Sequence, residues 1–230
     1  MGAEESPNQN AAIRQVRLVV ERLARDGSVV ARSDGAEHDV FPVAISSEEG
    51  EALRRWVLQE GAEQTLEIGL GYGFSALHIC EGLLLSGNLA ARHVVLDPNQ
   101  AERFGDCGLQ VLEDAGVRRL VEHYAELSEI ALPRFLEEGR HFDLGFVDGN
   151  HRFDGVFLDL FYLGRLVRGG GVVFLDDYNL PGVKKAVSYF VNNRAWAIEE
   201  SSTVESEHQW VVLRTPAEPS QGDFRYFVDS

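Results

Sequence analysis

The chain has 230 residues and a mass of 25.5 kDa, which suits one large globular domain better than two. Its 37 acidic and 21 basic side chains give a formal charge of −16, which disfavours nucleic acid or an anionic membrane surface as the principal partner. Hydrophobic residues make up 44% and charged residues 25%, so the chain can bury a core and is not mainly disordered.

The cysteines and the apolar stretches exclude further classes of protein. Cys80 and Cys107 form no CxxC motif, which excludes a disulfide framework and a cysteine-rich zinc site. No apolar stretch reaches the roughly 18 to 20 residues that span a bilayer, and Met1 to Asn10 lacks the features of a signal peptide. We therefore predict a soluble, cytoplasmic protein.

The first part of the chain predicts two helices with a hairpin between them. Apolar residues recur at helical spacing from Ala11 to Arg25. A polar stretch with Gly27 and Gly35 indicates a short hairpin, and Ser46 starts a second helix that runs to about Glu60. The predicted boundaries are a flexible tail at 1–10, an N-terminal helical cap region at 11–60, a cofactor-binding core at 61–214 and a C-terminal tail at 215–230.

Within the predicted core, apolar strands alternate with helices. This alternation is typical of a parallel sheet with helices on both faces. We predict a single-domain α/β protein with a Rossmann-like doubly wound sheet, mostly parallel with an antiparallel last strand. The predicted strands are 65–68, 93–96, 120–123, 142–147, 171–175 and 210–213, and the helices are 75–85, 100–115, 126–138, 153–166 and 182–191.

The C-terminal tail carries an aromatic cluster of Phe224, Tyr226 and Phe227. We expect this cluster to pack on the body of the protein. A lid over the ligand, or a contact in a homo-oligomer, is an alternative role.

Three alternating glycines, Gly69, Gly71 and Gly73, follow the first predicted core strand and precede a helix. Glycine lets a ligand approach the main chain, and the free amides of the helix start lie behind the loop. Gly71, Gly73 and Ala76 also satisfy the dinucleotide pattern GxGxxG/A. Read from the first glycine, however, Phe74 stands at the third position, where it would crowd the helix against the strand.

Two acidic residues near the loop indicate which kind of ligand it binds. Glu67 places a carboxylate beside the loop, which disfavours a pyrophosphate and can attract a cation. Asp97 ends the next strand, where a carboxylate can accept both hydroxyls of a ribose. A ligand with a ribose and a positive centre but no phosphate is S-adenosylmethionine.

The segment Glu67-x-Gly69-x-Gly71-x-Gly73 with Asp97 resembles the first two motifs of class I S-adenosylmethionine-dependent methyltransferases. The resemblance implies that Gly69, Gly71 and Tyr72 surround the amino-acid part of the cofactor. It also implies that Ser75 caps the following helix and that Asp97 holds the ribose. Ala125 and Glu126 are implied to lie against the adenine.

A second set of acids follows two later strands. Asp148 follows the strand at 142–147, and Asp176 and Asp177 follow the strand at 171–175. Because the carboxyl ends of neighbouring parallel strands open on one crevice, these three carboxylates are expected to converge. Their mutual repulsion would be relieved by a divalent cation, and an oxygen set suits magnesium, calcium or manganese better than zinc.

Each of these residues also has a purely structural interpretation. Asp148 and Gly149 can form an ordinary turn. Asp177 can cap the next helix or pair with Lys184 or Arg194, and His151 can be a solvated loop residue.

The pattern Asp-Gly-x-His-x-Phe-x-x-Val-x-x-Asp from Asp148 to Asp159, followed by Asp176 and Asp177, carries a sharper resemblance. It is similar to metal-dependent O-methyltransferases of the macrocin type, which act on sugar hydroxyls of macrolides, and more distantly to catechol O-methyltransferase. The resemblance implies that Asp148, Asp176 and Asp177 bind Mg²⁺ or another divalent cation. It makes His151 the candidate base and gives Asp148 a share in catalysis and cofactor binding.

The catechol enzymes have an Asp-Asn pair where this chain has Asp176 and Asp177, which favours the sugar type. We predict an O-methyltransferase acting on a hydroxyl of a small molecule, a sugar or vicinal diol in natural-product biosynthesis. The alternatives are a catechol or phenol acceptor, an NAD(P)-dependent oxidoreductase, or a binding module without activity.

Overall fold

The computed structural model describes residues 7–88, 90–202, 209–218 and 225–228. The chain divides into two compact units, Met1–Ala125 and Glu126–Ser230, where the sequence predicts a single domain. Among the described residues, no helix is long and apolar enough to cross a membrane.

The first unit opens with helix α1 (Pro7–Asp26). Its buried residues recur every three or four positions, as the sequence predicts. The helix includes residues 7–10, so the predicted tail at 1–10 is too long. Those four residues have no apolar periodicity and therefore give no helical signal, and residues 1–6 lie outside the described part of the chain. The buried residues of α1 are Ile13, Val16, Val19 and Leu23.

The predicted hairpin and second helix are both confirmed. Strands β1 (Ser28–Val30) and β2 (Glu37–Asp39) pair antiparallel. Helix α2 (Ser47–Gln59) follows, and the Ser46 hydroxyl accepts a hydrogen bond from the Glu49 N–H at 3.1 Å. This bond satisfies one of the free amides at the helix start.

Three parallel strands form the sheet of the first unit, in the order β5-β4-β3. Ile68 is in register with Leu96, and Leu96 is in register with Tyr124. The carboxyl ends of the strands therefore lie at one edge, which brings the loops after them together. The strands are β3 (Gln64–Ile68), β4 (Arg92–Leu96) and β5 (Val121–Tyr124).

The helix predicted at 100–115 is interrupted, and this prediction was wrong. It consists of α4 (Gln100–Phe104) and α5 (Cys107–Asp114). Gly105 and Asp106 separate them, with φ of 56° and 58°. Two successive left-handed residues end one helix and redirect the chain into the next. The apolar periodicity alone did not show this break.

Helix α3 (Phe74–Leu85) is buried on nearly every side, and a charged residue ties it to its neighbours. Glu81, whose side chain is 2% exposed, pairs with Arg17 of α1 at 2.6 Å and with Arg54 of α2 at 3.0 Å. A buried carboxylate requires such partners, so Glu81 joins three helices of the first unit.

The second unit alternates helices and strands before ending in antiparallel strands. Strand β6 runs parallel to β7, β9 is antiparallel to β7, and β8 is antiparallel to β9. The elements are α6 (Ser128–Glu137), β6 (Phe142–Val147), α7 (Phe153–Leu166), β7 (Val167–Leu175), α8 (Pro181–Arg194), β8 (Ala197–Ser201) and β9 (Val211–Arg214).

Strand β8 was not predicted. Its residues are mostly exposed and include two adjacent glutamates, so they lack the apolar pattern that marks the other strands. The fold class is nevertheless confirmed, because seven mostly parallel strands with an antiparallel end and surrounding helices match a Rossmann-like methyltransferase fold.

The described part of the C-terminal tail contacts α8. The Asn193 side chain donates to the Val228 carbonyl at 3.0 Å and accepts from the Val228 N–H at 2.8 Å. The Phe227 ring lies 5.9 Å from that of Tyr189. Phe227 and Val228 therefore contact α8, but Tyr226 and Phe227 stay largely exposed, so packing of the whole aromatic cluster stays a prediction. Phe224 lies outside the described residues.

Candidate cofactor and metal sites

The glycine loop joins β3 to α3 and is left-handed at each glycine. Gly69, Gly71 and Gly73 have φ of 94°, 50° and 78°, a region that disfavours other residues. The loop also packs closely on α5. A Cβ on Gly108 would lie 2.6 Å from the Gly71 carbonyl oxygen, and one on Gly73 would lie 3.0 Å from that of Gly108. Glycines on both sides therefore let the loop sit against the helix.

Asp97, the predicted ribose ligand, is 3% exposed and firmly oriented. Its Oδ2 accepts hydrogen bonds from the Leu70 and Gly71 N–H groups, both at 3.1 Å, and its Oδ1 accepts from the Asn99 N–H at 2.8 Å. The Gln100 amide also donates to Oδ2 at 2.8 Å. The structure thus joins Asp97 to the glycine loop, and its role as ribose ligand stays a prediction.

Glu67 lies in an interior hydrogen-bond network rather than at an open surface. Its Oε1 accepts from the Ser75 hydroxyl, and its Oε2 contacts His93 Nε2 at 2.7 Å. His93 Nδ1 in turn contacts the Thr65 hydroxyl at 2.9 Å. Glu67, His93 and Thr65 are fully buried. The network links β3, β4 and α3 beneath the glycine loop.

This network corrects one implied role and adds one residue. Ser75 does not cap α3: the helix begins after Gly73, and the Ser75 hydroxyl bonds to Glu67. Sequence reasoning missed His93. The signal was a polar residue inside the apolar strand β4, paired in register with Thr65, two residues before Glu67 on β3. Whether Glu67 also contacts a cofactor stays a prediction.

Tyr72 and the adenine segment complete the predicted cofactor residues. Tyr72 is 8% exposed and packs edge-on against Phe104 with ring centroids 5.2 Å apart, and burial raises the pKa of its phenol. Glu126 pairs with Arg134 through both carboxylate oxygens, at 3.1 and 3.0 Å. Ala125 is exposed. The adenine role of Ala125 and Glu126 stays a prediction.

Three side chains of the second unit form a cluster with the spacing of a metal site. Asp148 follows β6, His151 precedes α7, and Asp177 follows β7. One ligand atom from each lies within 4.8 Å of the others. His151 Nδ1 is 2.7 Å from Asp177 Oδ2, and His151 Nε2 is 3.4 Å from Asp148 Oδ1.

Asp177 reaches the cluster through an unusual backbone conformation. Its φ is 55°, which a non-glycine residue adopts only at a cost, and such residues often mark functional sites. Asp176 lies outside this group. It is 5% exposed, and its N–H donates to the Val147 carbonyl at 3.1 Å, which joins the ends of β6 and β7. The structure thus brings Asp148 and Asp177 together with His151, and the metal role of Asp176 stays a prediction.

The protonation of His151 differs from what the sequence suggested. Hydrogen bonds to Asp148 and Asp177 raise the pKa of His151 from 6.5 to about 10. Without a metal, the imidazole is therefore a cation at neutral pH and cannot accept a proton in this state. The two carboxylates favour a positive charge between them.

The donor set fits a divalent cation. Two carboxylates and one imidazole nitrogen are ligands that manganese accepts, and the carboxylates alone suit magnesium. The raised pKa of His151 shows that the cluster favours a positive charge at this place, which a metal ion would supply more strongly than a proton.

Comparisons with known proteins agree with this architecture. A methyltransferase-domain family matches residues 66–178, which contain the glycine loop, Asp97 and the metal cluster. Tricin synthase 2 of Oryza sativa subsp. japonica is 28% identical over 175 residues, covering 74% of this chain and 52% of that protein. Catechol O-methyltransferase B of Danio rerio is 30% identical over 181 residues, covering 74% of this chain and 63% of that protein.

Solved structures share the fold. The O-methyltransferase from Bacillus cereus in complex with SAH has a TM-score of 0.65 at 17% identity, with 89% of this chain and 90% of that one covered. TomG from Streptomyces achromogenes, an O-methyltransferase in complex with SAM, has a TM-score of 0.65 at 20% identity, with 93% of this chain and 91% of that one covered.

The fold is that of class I S-adenosylmethionine-dependent methyltransferases, and residues 66–178 match a methyltransferase-domain family. The relatives that the chain matches include a caffeoyl-CoA O-methyltransferase and a catechol O-methyltransferase, in agreement with the resemblance seen in its motifs. The chain spans about half the length of the tricin synthase and under two thirds of the catechol enzyme, so its own reaction and substrate are matters of proposal.

Proposed function

We propose that this protein transfers a methyl group from S-adenosylmethionine to a hydroxyl of a small molecule in a reaction that requires a divalent metal. The acceptor is a sugar or another compound with two adjacent oxygens. The observation that carries the proposal is the grouping of Asp148, His151 and Asp177 within 4.8 Å in a chain with methyltransferase relatives.

The cofactor residues would serve to bind and align the methyl donor. The left-handed glycine loop has no side chain at three positions where one could block a ligand, and Asp97, held by the Leu70 and Gly71 N–H groups, would offer its carboxylate to the ribose hydroxyls. Sulfonium methyl transfer needs little activation beyond alignment, so this rigid loop contributes by positioning.

The cluster would activate the acceptor. Asp148 and Asp177 would hold the cation, and a bound cation lowers the pKa of a coordinated hydroxyl by several units. With Asp148 and Asp177 holding a cation, His151 would lose the interactions that raise its pKa and would be neutral. His151 then accepts the hydroxyl proton, while the methyl carbon–sulfur bond breaks and a methyl carbon–oxygen bond forms.

Two acceptor classes remain, and different observations favour them. The Asp176–Asp177 pair favours the sugar type. The names of the relatives favour a phenolic acceptor, since they include a catechol O-methyltransferase and, in Petroselinum crispum, a caffeoyl-CoA O-methyltransferase at 25% identity over 191 residues. A catechol and a vicinal diol both offer two adjacent oxygens to one cation. A role in natural-product biosynthesis rests on the sugar-type resemblance.

The test is methyl transfer by the full chain, stripped of metal and then supplied with Mg²⁺ or Mn²⁺. We expect turnover with the metal and none with a chelator, on either a glycoside diol or a catechol. Asp177→Asn should abolish turnover while cofactor binding persists. Asp143→Asn is the control, because Asp143 is an acid on β6 of the same unit that pairs with Arg168. Turnover that a chelator leaves unchanged would contradict the proposal.

A further inference from the structure

Gln100, at the start of α4, lies between the predicted ribose ligand and the glycine loop. It is 2% exposed, and its side-chain Nε2 donates to Asp97 Oδ2 and to the Gly71 carbonyl oxygen, both at 2.8 Å. Gly71 is thus held from both sides, since its N–H also donates to Asp97 Oδ2. One amide therefore connects the carboxylate and the loop.

The orientation of this amide follows from its neighbours. Both groups near Nε2 are acceptors, so a reversed amide would place its oxygen against two other oxygens. The chosen orientation leaves Gln100 Oε1 buried without a hydrogen-bond partner. A buried acceptor without a partner is costly, and a residue that served stability alone could avoid this cost with an apolar side chain.

The contacts of Asp97 show what the amide achieves. Oδ2 accepts three hydrogen bonds, from Leu70, Gly71 and Gln100, whereas Oδ1 accepts one. Each carboxylate oxygen has about two acceptor positions, so the three donors fully occupy Oδ2, whereas Oδ1 keeps room for one more donor. Gln100 thereby determines which oxygen remains available to a ligand.

We propose that Gln100 is a positioning residue for the cofactor: it fixes Asp97 and the Gly71 peptide in the arrangement that receives the ribose of S-adenosylmethionine. The inference rests on the proposed function, because it assumes that Asp97 binds this cofactor. Gln100 itself touches the protein groups that bind and not the reacting atoms. No sequence motif singles it out, since it stands three residues after Asp97 in an otherwise ordinary helix start.

The first test compares Gln100→Met with Gln110→Met in calorimetric titrations with S-adenosylhomocysteine. Gln110 is the matched control because it also makes two hydrogen bonds to the main chain, to Arg32 N–H and the Val30 carbonyl, but on the hairpin side of α5. We expect Gln100→Met to raise the dissociation constant roughly tenfold or more, since hydrogen bonds to a charged group are lost. Gln110→Met should change it less than twofold. In turnover assays, the loss should appear in KM for the donor and not in kcat.

The second test uses Gln100→Glu, which keeps the shape. Its carboxylic acid form can donate one hydrogen bond, whereas its carboxylate would face Asp97 and repel it. We expect cofactor affinity close to that of the wild type at low pH and a steep fall as pH rises, with a flat profile for the wild type. A purely structural role would lower the melting temperature without this pH-dependent affinity.

The outcomes separate the two proposals. If the wild type binds S-adenosylhomocysteine and both Gln100 variants bind it equally well at every pH, the role of Gln100 is refuted and the proposed function stands. If the wild type itself binds no S-adenosylhomocysteine, the cofactor assignment in the proposed function fails, and the role of Gln100 fails with it. If Gln100→Met does not fold, the pH profile of Gln100→Glu decides.

Discussion

Asp177 joins the candidate metal cluster through its backbone conformation. Its left-handed backbone turns the carboxylate toward His151, while Asp176 immediately before it bonds through its N–H to the end of β6. Adjacent acids in a sequence are therefore placed differently in the structure. The difference can be measured, because a metal ligand and a neighbouring acid respond differently to substitution.

Asp177→Asn should weaken binding of Mn²⁺ at least tenfold, since the cluster loses one of its two carboxylates. Asp176→Asn should weaken it less, because Asp176 is not among the three grouped side chains. Calorimetric titration of Mn²⁺ into each variant measures the difference. Equal losses from both substitutions would show that both acids are ligands, as the sequence predicts.

His151 makes metal binding depend on pH. The pKa of His151 is about 10 in the metal-free protein, so a proton occupies the cluster at neutral pH and must leave when a cation binds. We expect metal affinity to rise with pH up to about 10 and protons to be released on binding. His151→Gln should remove this dependence. Calorimetry in buffers of different ionisation enthalpy measures the proton release.

The same residue contributes to the stability of the metal-free protein. Because its folded-state pKa is raised above 6.5, the contribution is fully present below pH 6.5 and declines as pH rises toward about 10. The free energy of unfolding of His151→Gln should therefore approach that of the wild type at high pH. A constant difference at all pH values would contradict the raised pKa.

At the scale of elements, helix α5 supports the glycine loop from behind. A Cβ on Gly108 would lie 2.6 Å from the Gly71 carbonyl oxygen and 2.8 Å from Gln100 Oε1, so the loop must move if it is added. The approach of helix and loop depends on the left-handed pair at Gly105 and Asp106, which redirects the chain.

Gly108→Ala should weaken S-adenosylhomocysteine binding and lower the free energy of unfolding by roughly 1–3 kcal/mol, as overpacking does. Gly116→Ala is the control. Gly116 has a φ of 70°, so a side chain there is strained, but its Cβ would have no atom within 4 Å. This variant should lower the free energy of unfolding by about 1–2 kcal/mol without changing the affinity for S-adenosylhomocysteine. Denaturant unfolding and calorimetric titration give the two quantities. Equal affinities for both variants would show that α5 does not hold the loop.

Helix α7 carries a buried acid whose ionisation opposes folding. Asp159 is 1% exposed, and burial raises its pKa to about 7, an effect that the nearby Ser128 hydroxyl reduces. In the unfolded chain its pKa is near 3.8, so the native state binds more protons between these values. The contribution of Asp159 to the free energy of unfolding therefore falls as pH rises from about 4 to about 7.

The free energy of unfolding of Asp159→Asn, relative to that of the wild type, should be higher at pH 8 than at pH 5 by up to about 3 kcal/mol. The neutral amide cannot ionise, so the pH-dependent penalty disappears. Urea unfolding of both proteins at the two pH values measures the change. A difference between the proteins that does not vary with pH would mean that the acid ionises normally in the native state.

At the scale of the whole molecule, the charge of −16 favours a cationic methyl donor. S-adenosylmethionine carries a sulfonium, and attraction to an acidic protein is screened by salt. We expect KM for the donor to rise about two- to tenfold between low salt and 0.5 M NaCl, with kcat unchanged. A KM that does not change with salt would show that net charge has no part in donor binding. The same charge predicts no binding to DNA at physiological salt.

Much of the fold could be predicted because it depends on local patterns. Apolar patterns and a capping serine, which act within a few residues, predict the strands β6 and β9 and the helices α2 and α7. The exposed strand β8 and the break between α4 and α5 were missed, since neither produces an apolar pattern of its own. Strand β8 depends on pairing with β9, and the break between the helices depends on the left-handed residues Gly105 and Asp106.

The sequence by itself determined which acids end the strands and where the glycines lie, because strand ends and turns depend on neighbouring residues. It could not determine which of these groups meet. The grouping of His151 with Asp148 and Asp177, the network of Glu67 with His93, and the contact of Gln100 with Gly71 join residues that are distant in sequence or separated by a turn. Strand register, backbone conformation and helix packing decide such contacts, and these arise only when the chain is folded.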